Sequence, residues 1–391
     1  MTRKILLISY YAPPVGVSGV IRITKLAKYL NQLNLTPIIL TTKPIAYYHY
    51  DYHAVCEIQG IKVYRSETLD LGRILYLVKF PVSPPTAKNA SLSLHLNFFL
   101  YPDAKRFWIP FAWRLGKKII EQENPDVILA TSPPFSALIV GWKLKREFKI
   151  PLITDFRDPW PTGYKLPPKW REKKLRKLRN LIFTVSDQVL VVNKTVKEEL
   201  NYQDAVILPN GYDPEEFTQS ARLLAKKGIV YAGNIVEVLE ALIFVAEAIK
   251  ELSDIKLILL GPCPRDIEFK LREYPNIIYL GTLSHQETIS ILKGANLLLY
   301  ISKSNQAVGL KFYEYLGAQK PILALGNYPK EVEDLLKAHS AGMAIPFQKG
   351  EIFKAVRDLT SQAETFSPIN THIYSYKNLA QKLKEICESI L

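Results

Sequence analysis

Residues 304–325, SNQAVGLKFYEYLGAQKPILAL, hold side chains suited to an anionic ligand. A polar loop reaches Gly309, the helix pattern LKFYEYLGAQ follows, and Lys320-Pro321 leads into the apolar run ILAL. A glycine ahead of a helix lets a ligand approach the first-turn N–H groups, which have no intrahelical partners and suit phosphate. Lys311 adds positive charge to that turn. Glu314, one turn further, is placed to accept hydrogen bonds from two vicinal sugar hydroxyls. Amides for a diphosphate and a carboxylate for a ribose make a site for a nucleotide diphosphate-sugar. By spacing alone the stretch also reads as an ordinary amphipathic helix, with Phe312, Leu316 and Gly317 inward and Glu314 in water.

Further clusters stand at the ends of predicted strands. The run 4–9 leads into Ser9-Tyr10-Tyr11-Ala12-Pro13-Pro14-Val15-Gly16-Val17-Ser18-Gly19, then a helix with Arg22 in its first turn. Glycines between strand and helix give backbone freedom and clear room for a phosphate, although G-x-x-G is common in loops and is not the dinucleotide fingerprint. Thr131-Ser132-Pro133-Pro134 follows the strand 126–131, and Thr154-Asp155-Phe156-Arg157-Asp158-Pro159-Trp160 spans the end of the strand 152–156. Asp155 and Asp158 flank Arg157. Either one carboxylate orients the guanidinium while the other faces a substrate hydroxyl, or the group is a salt bridge closing the strand end. Val230-Tyr231-Ala232-Gly233-Asn234 ends a later strand at an equivalent place. His49-x-Asp51-x-His53 has metal-ligand types, but its Tyr-rich setting reads as a surface loop, and no metal is expected.

These clusters need a scaffold, and the rhythm of the chain supplies one. Short apolar, β-branched runs at 4–9, 37–42, 62–65, 126–131, 152–156, 188–192 and 206–209 alternate with helical patterns such as 19–32, 108–123 and 136–148. A second series, 229–233, 256–260, 277–280, 297–301, 321–325 and 342–345, is separated by helices such as 238–252 and 285–293. Strand-helix alternation means parallel sheets covered on both faces. Two series mean two doubly wound domains, with the boundary in the polar stretch 211–227 and ligands at the strand C-terminal ends. A final helix over 373–391 carries Leu379, Leu383, Ile386 and Ile390 at helical spacing.

The 391 residues suffice for two or three domains, and 48% apolar content suffices for their cores. No apolar run reaches the ~18 residues of a membrane span. The run Ile5-Leu6-Leu7-Ile8 is shorter than a signal-peptide core of ~7–15 residues and reads as a strand. Cys56, Cys263 and Cys387 are scattered and odd in number, which argues against a disulfide framework and for a reducing, cytosolic setting. The formal charge of +14 is concentrated over 165–179, where Lys165, Lys169, Arg171, Lys173, Lys174, Arg176, Lys177 and Arg179 face only Glu172. Leu175, Leu178 and Ile182 recur there on one side of a helix. An apolar stripe between basic flanks suits an anionic leaflet, or the stripe packs on the sheet and the charges stay in water. Residues 69–113 are apolar without a strand-helix rhythm, including Leu92, Leu94, Leu96 and the Phe98-Phe99-Leu100-Tyr101 run. They read as a membrane-facing or lipid-acceptor surface, or as a buried helical hairpin.

The stretch 304–325 resembles the donor-site signature of family 4 glycosyltransferases of GT-B type: a glutamate, seven residues and a second glutamate, with a glycine after the third position. Gln306, Gly309 and Glu314 fall on that frame, Gln306 standing where the first glutamate usually is. The opening loop is similar to the family's Y-Y-A-P-P-x-G-G-S-G-x-x-R, with Val17 in place of the second glycine. The segments at 131–136 and 155–160, Pro102-Asp103 with Trp108, and Asn210-Gly211-Tyr212-Asp213 (a hinge turn) also resemble family elements. A cation near Asn234 and a lysine about five residues on are usual in the family; here Glu237 and Glu240 follow instead. The likeness runs from residue 4 to 391, in the wording of members that build O-antigen, capsule and exopolysaccharide.

The resemblance implies an α/β GT-B fold, two doubly wound Rossmann-like domains facing across a cleft. Residues 1–214, with the helix 373–391 packed back on them, would be the acceptor domain, and 215–372 the nucleotide-sugar donor domain. It implies a retaining, metal-independent transfer of a hexosyl-type sugar to a lipid-linked or polysaccharide acceptor, the nucleotide-sugar being substrate and no cofactor being needed. Donor contacts would come from Gly16, Gly19, Arg22, Gly233, Asn234, Lys303, Gln306, Gly309, Leu310, Lys311 and Glu314. Asp155, Arg157 and Asp158 would serve catalysis. The expected location is cytoplasmic, peripheral at the inner face of the membrane, with an anionic membrane surface as a partner. Gln306 and the lost cations also motivate a catalytically degenerate nucleotide-sugar-binding or scaffold protein. The charge motivates a nucleic-acid-binding protein, against which the basic residues sit in one helix and no nucleic-acid module is present; no nucleic acid is expected as a partner.

Overall fold

A computed structural model of the chain describes residues 3–47, 49–82, 100–161, 169–222, 227–302 and 308–391. Strands that are apolar at nearly every position bury both faces only when helices cover each side, and two such sheets form. The first contains β1 (Arg3–Ile8), β2 (Leu35–Thr42), β3 (Lys62–Ser66), β4 (Val127–Ser132), β5 (Leu152–Phe156), β6 (Gln188–Val191) and β7 (Val206–Ile207). Its order is β3-β2-β1-β4-β5-β6-β7, every neighbouring pair parallel. The second contains β8 (Lys227–Ala232), β9 (Ile255–Leu260), β10 (Ile277–Tyr279), β11 (Leu297–Ser302), β12 (Ile322–Gly326) and β13 (Gly342–Ile345), in the order β10-β9-β8-β11-β12-β13, again all parallel.

The side-chain period of two is visible in the cores. In the first sheet Leu6, Ile8, Ile128, Ala130 and Leu152 face one cluster, which holds Trp108 and Phe135. Ile5, Leu7, Val127, Leu129 and Ile153 face the other. In the second sheet Val230, Ala232, Ile258 and Leu298 alternate with Ile229, Tyr231, Leu257 and Leu297 in the same way.

The contacts divide the chain into two compact units, Met1–Pro209 with Tyr376–Leu391, and Asn210–Ser375. The helix Tyr376–Ser389 belongs to the first unit, where Leu379, Ala380 and Leu383 join the cluster of the helix Ser18–Gln32. The two linking segments are tied to each other: Tyr212 N–H donates to Tyr374 O at 3.0 Å, and Tyr212 bridges Ser375. Asn210-Gly211-Tyr212-Asp213 thus lies at the start of the second unit, held by its end.

The structure decides between the alternatives left open for two surfaces. The basic helix Lys169–Val185 buries Leu175, Ile182 and Phe183 in the first core, with Leu178 packed against it. The apolar stripe is therefore occupied, because it is the cover of one sheet face, and it is not free to enter a bilayer. Lys169, Lys173, Lys174, Arg176 and Lys177 remain on the outside, while Lys165 lies outside the described residues. The apolar region 69–113 divides. Trp108 is buried and donates Nε1–H to Ser66 Oγ at 2.7 Å. Asp103 accepts from Ser136 N–H at 2.8 Å and Ser136 Oγ–H at 2.7 Å, closing the N-terminus of the helix Ser136–Phe148. Leu71, Ile74, Leu77, Val78 and Phe80 are exposed instead. Leu92, Leu94, Leu96, Phe98 and Phe99 lie outside the described residues. Among the described residues no helix is long and apolar enough to cross a membrane.

Candidate functional site

In a doubly wound sheet the chain leaves in opposite directions on either side of one strand pair, and ligands bind beyond the C-terminal ends there. That switch lies between β1 and β4 in the first unit and between β8 and β11 in the second. The described site residues lie at or just beyond strand C-terminal ends of their sheets, and each unit is described by itself.

In the second unit the helix Leu310–Ala318 begins after Gly309, an exposed residue in extended conformation that gives no side-chain cap. Gly309 N–H donates to Tyr300 Oη at 3.2 Å, which holds the loop end on β11. One turn on, Glu314 is buried to 7% exposure, although its neighbours on the helix are packed for the core. Its Oε2 is sealed from water without a hydrogen-bond partner among the described residues and stands 3.5 Å from Lys311 Nζ. A buried acceptor left without its hydrogen bond costs about 1–3 kcal/mol, which the Lys311 ammonium offsets in part, so the oxygen is poised for a donor that a ligand brings. Phe312, Tyr313 and Leu316 fill the core around it. Gly317 lies where a methyl group would meet the Tyr212 ring at 2.6 Å. Lys303 and Gln306 lie outside the described residues.

Gly233 and Asn234 end β8. Gly233 carries a carbonyl that a side chain on Gly261 (φ +137°) would strike at 1.9 Å, so two strand ends meet there through glycine backbone. Asn234 caps the helix Ile235–Ala248, and its Nδ2–H donates to Glu237 Oε1 at 2.8 Å. Glu237 is thus tied to the cap. A residue absent from the sequence reading adds to this end. His285 opens the helix His285–Gly294 behind a Ser284–Glu287 capping box, and its Nε2 is 2.9 Å from Glu216 Oε2. Burial pulls the imidazole pKa down, but the Glu216 hydrogen bond and charge, with Glu314 adding to them, outweigh this and hold it above its ordinary value. The capping box was the available sequence signal; nothing local pointed to Glu216, 69 positions away.

The first unit corrects several expectations. Asp155 does not orient Arg157. Both of its oxygens are taken by Arg22, Nε–H to Oδ2 at 3.0 Å and Nη2–H to Oδ1 at 2.9 Å, and Thr131 Oγ1–H donates to Oδ2 at 2.7 Å. Arg22 also donates to Leu208 O and Pro209 O, at 2.9 and 2.6 Å. Both side chains are nearly inaccessible, so they pin the opening helix to β5 and the chain after β7 and do not face a ligand. Arg157 spends its guanidinium on carbonyls: Ser132 O at 3.0 Å, Gly19 O at 2.7 Å and Pro133 O at 2.9 Å. Burial lowers its pKa, with the Asp155 and Asp158 charges opposing. The open sides of the two opening-loop glycines are likewise used inside the chain. A methyl group on Gly19 would meet Arg157 Nη1 at 2.8 Å, and one on Gly16 would meet the His49 ring at 2.2 Å. His49 therefore packs on the loop, Asp51 accepts from the His53 and Ala54 N–H groups, and His53 lies 3.4 Å from Glu57.

Asp158 is the exception in this cluster. It is half-buried just beyond β5, and no described residue forms a hydrogen bond with its carboxylate. Burial raises its pKa, and Arg157 opposes the rise. A carboxylate with no hydrogen bond among the described residues and a raised pKa beside a fixed guanidinium is suited to take up a proton.

Residues 22–216 match the family model for Glycosyltransferase Family 4, and residues 226–362 match that for Glycosyl transferases group 1. No curated protein matches significantly. Among solved structures, a glycosyltransferase from Rickettsia africae aligns at TM-score 0.66 and 17% identity, over 100% of this chain and 98% of that one. Sucrose-phosphate synthase from Thermosynechococcus elongatus aligns at 0.65 and 14%, over 99% of both. Anabaena HepE, solved with UDP and glucose, aligns at 0.62 and 14%, over 99% and 100%. At these identities the likeness is one of fold. With both family models on one chain, each on its own parallel sheet, the chain belongs to the family 4-like glycosyltransferases of GT-B fold.

Proposed function

We propose that the protein transfers a hexosyl-type sugar from a nucleotide-sugar to a lipid-linked or growing polysaccharide acceptor, with retention and without a metal or cofactor. The observation that carries this is the uncapped helix start at Gly309 with the buried Oε2 of Glu314 one turn behind it, ion-paired with Lys311 but without a hydrogen bond among the described residues. The N–H groups of Leu310 and Lys311 and the Lys311 ammonium take the diphosphate, and Glu314 accepts from the ribose hydroxyls. HepE, a structural relative, was solved with UDP and glucose, in keeping with such a ligand. In the transfer, the bond from the anomeric carbon to the diphosphate breaks and the nucleoside diphosphate keeps the electron pair. The acceptor oxygen bonds to that carbon and its proton goes to a base. Helix amides and Lys311 stabilise the leaving charge. Asp158, as the carboxylate of its cluster without a described partner, is the base we assign, so the first unit serves the acceptor and the second the donor. Polysaccharide building at the cytoplasmic face of an anionic membrane is the setting we infer, supported by the basic outer face of Lys169–Val185.

A second reading rests on Glu237. With that acidic residue bound to Asn234 and no lysine or arginine between residues 234 and 249, a protein that binds a nucleotide-sugar without turnover is the competing reading. Incubation with UDP-, GDP-, ADP- and TDP-sugars separates the two. Release of nucleoside diphosphate with a transferred sugar supports transfer. Saturable binding without release supports the second reading.

A further inference from the structure

The helix Leu71–Leu77 is built inside out. Its buried residue is Arg73, whose guanidinium donates to Glu67 Oε2 at 3.0 Å, Glu67 Oε1 at 3.1 Å and Pro44 O at 2.9 Å. Its outward residues are apolar. Leu71 and Ile74 are exposed, Leu77 is 62%, Val78 64% and Phe80 58% exposed, and Leu69 is 62% exposed before the helix begins. Positions 71, 74 and 77–78 fall on one face. Scattered exposed hydrophobics are ordinary, but a contiguous set on an element whose charged residue points inward marks an interaction surface. A core-facing amphipathic helix would show the opposite polarity.

Charge beside this face indicates what covers it. Lys79 follows the helix and is exposed. The strap from Leu100 to Lys105 links the apolar helix to the basic one. Lys105 Nζ stands 3.7 Å from Asp70 at the N-terminus of Leu71–Leu77, while Leu100 O accepts from Arg171 at 2.7 Å and Tyr101 Oη–H donates to Lys174 O at 3.3 Å. Five residues of chain span at most roughly 17 Å, so this short strap ties the start of the one helix to the first turns of the other. On the basic helix Lys173, Lys174 and Lys177 are exposed, and Trp170, 64% exposed, has Lys174 Nζ 5.3 Å from its ring centre. Apolar side chains for the acyl boundary, an aromatic at headgroup level and lysines around them are what an anionic bilayer surface recognises.

We propose that the exposed face of Leu71–Leu77 with Val78 and Phe80 inserts into an anionic phospholipid bilayer, while Lys173, Lys174 and Lys177 engage its headgroups. This rests on the reading that the acceptor is held at a membrane, and it moves the inserting element from the basic helix to the inside-out one.

The test is co-sedimentation of the full chain with vesicles of phosphatidylcholine alone, or with about 30 mol % phosphatidylglycerol. The wild type binds the anionic vesicles, and part of the binding survives about 0.5 M salt because insertion is not screened. Leu77→Gln with Val78→Gln lowers anionic binding about ten-fold or more. Lys173→Gln with Lys174→Gln and Lys177→Gln removes the anionic preference. Phe269→Gln, at an exposed apolar residue of the second unit, changes nothing. Equal binding by the Leu77/Val78 variant overturns the proposal, as does absence of wild-type binding. So does a concentration-dependent dimer that this variant abolishes without vesicle binding, which would make the face an interface between copies. Thermal shift with the sugar-nucleotide panel, run without vesicles, reads the donor site separately, so either reading can fail alone.

Discussion

Glu314 Oε2 is closed off from water with no hydrogen bond among the described residues, and the Lys311 ammonium 3.5 Å away is the charge that faces it. The charge at Asp155 is different, because Arg22 and Thr131 satisfy it. The two predict opposite outcomes on mutation. Arg22→Met strands a buried carboxylate and destabilises the first unit by about 3–5 kcal/mol in denaturant unfolding; a variant of wild-type stability with altered ligand affinity would return Arg22 to the binding site. Asp158→Asn leaves stability and nucleotide-sugar affinity unchanged and lowers kcat about 100-fold or more, and in the wild type the acid limb of kcat is shifted up from the ordinary aspartate value because burial raises the Asp158 pKa against the pull of Arg157. For His285 the folded pKa is raised by Glu216 against the pull of burial. The stabilisation from that pair is therefore complete below the unfolded value, about 6.5, and fades as pH rises through the folded value. Glu216→Gln removes it, and imidazole resonances followed by NMR against pH would titrate lower in the variant; an unchanged titration would refute the pairing.

At the scale of elements, much was legible. The thirteen strands among the described residues follow from apolar β-branched runs, since burial on both faces leaves a local compositional mark. The Gly309–Glu314 helix was legible for the same reason, as capping glycine, lysine and carboxylate lie within one turn and a half. The pairing of Arg22 with Asp155, across 133 positions, was not, because adjacency in sequence suggested Arg157 and only the sheet order brings β5 under the opening helix. The basic helix left two readings open for a related reason. An apolar stripe looks the same whether a sheet or a bilayer covers it, and Lys169–Val185 is covered by the sheet. Leu175→Ala should accordingly cost about 2–5 kcal/mol of stability, while Lys173→Gln should cost within about 0.5 kcal/mol. Near-equal effects in thermal unfolding would mean the stripe is not core.

At the scale of the whole molecule, two parallel sheets each present a switch point, and each carries one kind of unfinished chemistry: Glu314 with an open helix end in Asn210–Ser375, and Asp158 beside Arg157 in the other unit. The family assignment makes the chain a glycosyltransferase; which residue holds the donor is the central claim. Calorimetric titration of the intact chain with UDP-, GDP-, ADP- and TDP-sugars, repeated on Glu314→Gln, tests it most directly. The account predicts that at least one sugar nucleotide binds saturably and that the variant, folded and of equal or greater thermal stability, binds it about ten-fold or more weakly. An unchanged dissociation constant in the folded variant, or no binding of any sugar nucleotide by the wild type, would contradict it.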